Sequence, residues 1–197
     1  MLAAPAVNGE EIVHSQEPLF QRADGVDEEM ISQSREFREQ MFAILKQEQD
    51  RKMADEKLRG IFGTYFSQLT PDQKKIAERY YGPMDGQIKF FNSASFRYWL
   101  TFDPISVLKQ VNISVLAING ELDFVVTPEQ NLRRIGTTFE DMSHQDFTIM
   151  RLPHLNHAFQ TCQTGSMAEY ASIEETVSPI VLKTMADWIL KKTAQKN

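Results

Sequence analysis

The stretch ISVLAINGELDFVVTPEQ, residues 113–130, decides the fold class. Its first six residues are a compact, β-branched apolar run of strand length. The next eight, NGELDFVV, are turn-rich. Thr127-Pro-Glu-Gln130 then carries the signature of a helix start: a threonine cap, proline at the first helical position, and glutamine where a capping box needs it. The same alternation returns downstream. Residues 147–152 (FTIMRL) form a second strand candidate, a loop carries Pro153 to His157, and Ser178-Pro179 opens a closing helix. In that helix the spacing places Val181, Met185, Trp188 and Ile189 on one face. Strand, helix, strand, helix with apolar strands predicts an α/β fold whose parallel sheet is covered by helices. Two strands alone would leave backbone groups and apolar surface exposed.

The preceding part of the chain has a different texture. Between residues 27 and 101 the pattern is helical, with Met30, Phe37, Met41, Ile44 and Leu45 on one face. After a charged break at 49–52 it resumes with Leu58, Ile61, Phe62, Tyr65, Phe66 and Leu69. Thr70-Pro-Asp-Gln73 predicts a capped helix that Gly82-Pro83 stops, and a further helical stretch includes Phe96, Trp99 and Leu100. The opening MLAAPAVNGEE is too short and too soon acidic for a signal peptide. It reads as the tail of a strand followed by a loop.

The totals narrow the function classes. The 197 residues are 42% hydrophobic and 24% charged, with a net charge of −6 and no basic stripe. Nucleic acid is therefore not the expected partner, because phosphate binding needs such a stripe. No apolar run approaches the roughly 20 residues that span a membrane. Cys162 is the only cysteine, which removes an intramolecular disulfide and a cysteine-based zinc site. The compartment stays open: the sequence fits a soluble protein, cytoplasmic or exported.

Chemistry in open parallel sheets sits in loops beyond the carboxyl ends of strands. Asp123 follows the first strand shortly after its end, and His154 and His157 follow the second. Both loops are expected to emerge at one edge of the sheet. An acid from one loop and a histidine from the next is the pairing that orients a general base. Taken singly, Asp123 is also an ordinary turn residue and His157 an ordinary core histidine. A metal site would need His154, His157 and Asp123 together, and the proline before His154 argues against a helical ligand pair. No metal or cofactor is expected. Glu174 and Glu175 are adjacent and do not share a helix face, so they are read as solvent-facing or as a brace for the histidine loop.

The strand-NGELDFVVTPEQN and strand-LPHLNHAFQ pair resembles the C-terminal part of an α/β-hydrolase. The resemblance is to a bacterial esterase and serine-aminopeptidase-like branch, and it extends to FRYWLTFDPISVL, TGSMAEYASIEETVSP and the opening LAAPAVNGEE. It runs over essentially all 197 residues but covers only the later part of a family domain. It implies a remnant core strand and loop at 1–20, a helical lid at 21–101, and the last strands and helices of the core at 102–197. By position, Asp123 matches the acid and His157 the base, while His154 matches no catalytic position. The aromatic residues Phe90, Phe91, Phe96, Tyr98 and Trp99 become lid core or substrate wall. Chain order in the family is nucleophile, acid, histidine. No G-x-S-x-G surrounds any of the nine glycines, so the serine and half the oxyanion hole are expected upstream. Cys162 does not fit the nucleophile's place in that order.

The implied parent hydrolyses carboxylic esters, or small peptides and amides, and the 197 residues alone are expected to be inactive. The rival expectation is a non-catalytic module that self-associates through lid helices or an open sheet edge. Another chain supplying the nucleophile is a third.

Overall fold

The computed structural model describes residues 1–6, 8–144 and 146–194. They fall into two compact units: residues 1–23 with 103–197, and residues 24–102.

The first unit is built on a three-stranded parallel sheet, β1 (Leu2–Ala3), β2 (Val115–Gly120) and β3 (Phe147–Leu152), in that spatial order. Leu2 pairs with Ala117, Val115 with Phe147 and Gly120 with Leu152. The central strand β2 is buried along its whole length; it runs over 115–120 rather than the 113–118 read from the sequence, and Ile113 lies outside it, 70% exposed. The β2 side chains alternate between two cores, as the two-residue period of a strand requires. Val115 and Ala117 pack with Leu132, Ile135 and Phe139 of α8 (Pro128–Asp141). Leu116 and Ile118 pack on the other face with Leu152, Leu155, Phe159 and Val181, the last from α9 (Pro179–Ala194). The mixed α/β class expected from the alternating pattern is what the structure has.

Details differ from the sequence reading. Residues 9–20, expected as loop, belong to helix α1 (Gly9–Ala23). Its start is set by Asn8, whose Oδ1 accepts from the Glu11 amide at 3.0 Å, with Glu10 and Glu11 favourably placed in the first turn. The Glu11 carboxylate holds Arg134 of α8 at 2.6 Å. Thr127 does open α8, but its side chain makes no capping bond. On α9, Val181 is buried and Met185 and Trp188 pack on the core, whereas Ile189 is 45% exposed. Ile189 lies just beyond the edge of the inward stripe, so it faces outward.

The second unit is helical: α2 (Glu28–Gln47), α3 (Arg51–Gln68), α4 (Pro71–Tyr81), α5 (Met84–Phe91) and α6 (Ala94–Thr101). Phe37 sits at its centre, stacked on Tyr65 at 4.6 Å and edge-on to Phe62 and Tyr81. The Thr70–Gln73 capping box forms with both of its bonds, and Gly82 ends α4 at φ 59°. Arg97 donates to the Leu45 and Glu48 carbonyls at 2.8 and 2.7 Å, a cation placed where the last turn of α2 leaves acceptors unmet. The short helix α7 (Pro104–Leu108), capped by Asp103, leads back to the sheet. Among the described residues no helix is long and apolar enough to cross a membrane.

Candidate functional site

Two loops leave the carboxyl ends of β2 and β3 side by side. Their backbones are joined: the Glu121 amide donates to the Leu152 carbonyl at 2.8 Å, and Leu122 to Leu155 at 2.9 Å. Gly120 lets them approach, because a Cβ there would collide with the Leu155 and Asn156 carbonyls. Asn119, wholly buried, closes the first loop by donating to the Val126 carbonyl at 2.6 Å.

Asp123 is 1% exposed. Its Oδ1 accepts from the Val125 and Val126 amides at 2.9 and 2.8 Å, the turn chemistry expected of an aspartate there. Its Oδ2 lies 2.9 Å from His157 Nδ1. A turn residue and an acid partner are thus one and the same side chain, served by different oxygens.

The histidine loop is closed on itself. Leu155 and Thr161 form an antiparallel bridge. Within it the Asn156 amide donates to the Gln160 carbonyl, Asn156 Nδ2 donates to Gln160 Oε1, and the Gln160 amide donates to Asn156 Oδ1, the last two at 3.0 Å. Leu155 and Phe159 anchor it in the core beneath, with Phe159 at φ 59°. Glu175 braces it from outside: its carboxylate accepts from the Thr161 amide at 2.5 Å and its carbonyl from Gln160 Nε2 at 2.8 Å. His157 therefore sits at the tip of a rigid loop, its side chain 36% exposed.

A carboxylate only accepts hydrogen bonds. The Asp123 contact therefore puts the imidazole proton on Nδ1 and leaves the Nε2 lone pair available. Among the described residues nothing hydrogen-bonds to Nε2. An imidazole held in this way can take a proton from an incoming hydroxyl, and the buried carboxylate then stabilises the resulting cation.

Asp123 and His157, singled out from the sequence, are thus brought together. His154 is not part of the pair: it is an exposed loop residue at φ 56° whose amide donates to Glu121 Oε2. Among the described residues no group of three His, Cys, Asp or Glu side chains could hold a metal. Cys162 is buried, and burial pushes its thiol above the usual range, away from the thiolate that a nucleophile needs. Of the aromatic residues of the helical unit, Phe96 is buried, while Phe90 and Trp99 line an open groove of about 310 Å³ with Ser93 and Ser95. The sequence reading missed Gly120, Asn156 and Gln160. The glycine directly after an apolar strand was a visible signal of close backbone approach. The Asn156–Gln160 exchange had none.

Comparison of the chain with protein-family models, with curated proteins and with solved structures finds no match in any of the three.

Proposed function

We propose that the first unit is the acid–histidine part of an α/β-hydrolase-like serine hydrolase, and that the helical unit is its lid. The observation that carries this reading is the 2.9 Å Asp123–His157 bond across the carboxyl ends of adjacent parallel strands. In the proposed mechanism a serine hydroxyl attacks an ester carbonyl and His157 Nε2 takes the hydroxyl proton. His157 then returns that proton to the leaving group, and water releases the acyl group by the reverse sequence. Asp123 fixes the tautomer and balances the imidazolium charge. Carboxylic esters are the first substrate class and small peptides or amides the second. No G-x-S-x-G occurs in the 197 residues, so the serine belongs to polypeptide outside them.

The test has two arms. The coding sequence ahead of Met1 is read for an in-frame G-x-S-x-G, and the longer product is assayed on short-chain chromogenic esters. Hydrolysis that disappears when His157 is replaced supports the proposal; a longer product with the motif and no hydrolase activity sinks it. A fluorophosphonate adduct on the 197 residues alone would refute the external serine.

A second reading, a non-catalytic self-associating module, is favoured by Leu182, Ile189 and Leu190, exposed along α9. Sedimentation separates the two: a tight dimer lost on Leu182→Asp would support the module.

A further inference from the structure

Between the histidine loop and α9 the chain makes a turn at residues 163–165 and a 3₁₀ helix, Met167–Ser172. One side chain organises this segment. Glu169 accepts from the Gln163 amide at 3.1 Å, the Thr164 amide at 2.9 Å, the Thr164 hydroxyl at 2.7 Å and the Gly165 amide at 2.8 Å. Four donors converging on one carboxylate fix the turn far more firmly than its exposed position would suggest. What the turn holds is Gly165. At φ 75° it adopts a conformation that suits glycine, and its α-carbon is pressed against Leu122, so that a Cβ would run into the Leu122 carbonyl. Leu122 directly precedes Asp123.

The next residue of the same 3₁₀ helix reaches the other catalytic loop. The Tyr170 hydroxyl is buried without a hydrogen-bond partner of good geometry, near the backbone amides of His157 and Ala158. Burial pushes its phenol above the ordinary range. Successive residues of one short helix thus reach the surroundings of the Asp123–His157 pair, Glu169 through the turn that seats Gly165 on Leu122 and Tyr170 through a hydroxyl beside the backbone of the histidine loop.

We propose that the 163–172 segment is a brace for the acid–histidine pair, with Glu169 and Gly165 as positioning residues for Asp123 and Tyr170 as a packing residue beside the backbone of the histidine loop. The proposal rests on the serine-hydrolase reading for its purpose, but its geometry does not depend on that reading. The brace limits how far the acid loop can withdraw from the imidazole. Hydrogen-bond strength falls steeply with poor geometry, so a small retreat of Asp123 is enough to release the Nδ1 proton. A released neutral imidazole in water favours the opposite tautomer.

The tautomer of His157 is therefore the readout. Two-bond proton–nitrogen correlation spectra of the chain labelled at histidine nitrogens report it through carbon-bound protons, and a His157→Gln sample assigns the signals among the four histidines. The unaltered chain is expected to show Nδ1–H. Glu169→Gln and Gly165→Ala are each expected to convert this to a mixture dominated by Nε2–H, while the amide signals of β2 and β3 keep their positions. Glu169 is only half-buried and Gln keeps its shape, so Glu169→Gln carries the test if Gly165→Ala fails to fold. An unchanged Nδ1–H tautomer in the folded variants overturns the brace and leaves the hydrolase reading intact. An unaltered chain without Nδ1–H overturns both. A tautomer that responds, together with a longer serine-bearing product that has no hydrolase activity, supports the brace and removes only the hydrolase reading.

Discussion

Asp123 and His157 lie 34 residues apart in the chain and 2.9 Å apart in space, joined through the one imidazole nitrogen that leaves the other facing outward. Asp123→Asn tests this arrangement in the longer, serine-bearing protein proposed above. The asparagine amide donates to Nδ1 and forces the proton onto Nε2, the wrong tautomer for a base. We expect kcat to fall about 10⁴-fold with KM little changed, measured on a short-chain ester.

Gly120 and Gly60 predict opposite responses to the same change. Gly120→Ala drives a methyl into the Leu155 and Asn156 carbonyls, and is expected to cost about 1–3 kcal/mol in urea unfolding. Gly60 lies in the interior of α3, where an added methyl would meet nothing within 4 Å. Gly60→Ala is expected to stabilise by roughly 0.5–1 kcal/mol.

Acid should loosen the 163–165 turn. The Thr164 hydroxyl, and then the backbone amides around it, hold the Glu169 carboxyl below its ordinary value. A carboxylate with a lowered folded value contributes stability that is complete above the unfolded value and is lost as pH falls through the folded one. Hydrogen exchange at Gln163, Thr164 and Gly165, corrected for intrinsic rates, should therefore accelerate as the pH drops through the carboxylate range. Thr164→Val removes the largest cause and should move that acceleration to higher pH.

Residues 24–102 are expected to fold when excised, since Phe37, Tyr65, Phe62 and Tyr81 form their aromatic centre within that span. Circular dichroism should show a helical spectrum with a cooperative melt. Phe37→Ala, a truncation in a closely packed centre, should lower the stability of the fragment by about 3–5 kcal/mol.

Much of this was legible in the residues, for physical reasons that can be named. β3 matches the run FTIMRL residue for residue although most of the strand is only half-buried, because its apolar side chains serve both cores: Phe147 and Ile149 pack on one face and Met150 and Leu152 on the other. The Thr70 capping box formed because both partners lie within one turn. Asp123 and His157 were legible as a pair because their spacing after two strand ends fixes where they emerge. Other features depended on distant partners. Glu11 finds Arg134 across 123 residues, and that contact, with the Asn8 cap, holds α1 where the sequence read as loop. The Glu169 cluster was hidden because three of its four donors are backbone amides, which every residue type carries.

The sheet has a consequence for synthesis. Leu2 pairs with Ala117, yet the whole helical unit lies between them in the chain. As the polypeptide emerges from the ribosome, β1 must wait without its neighbour until the helices have been made. If those helices fold first, the flexible span that β1 must close over shortens. The entropy of closure falls accordingly, although only logarithmically with length. The insertion would then act as an internal folding aid: the order of translation lets the middle of the chain prepare the joining of its two flanks.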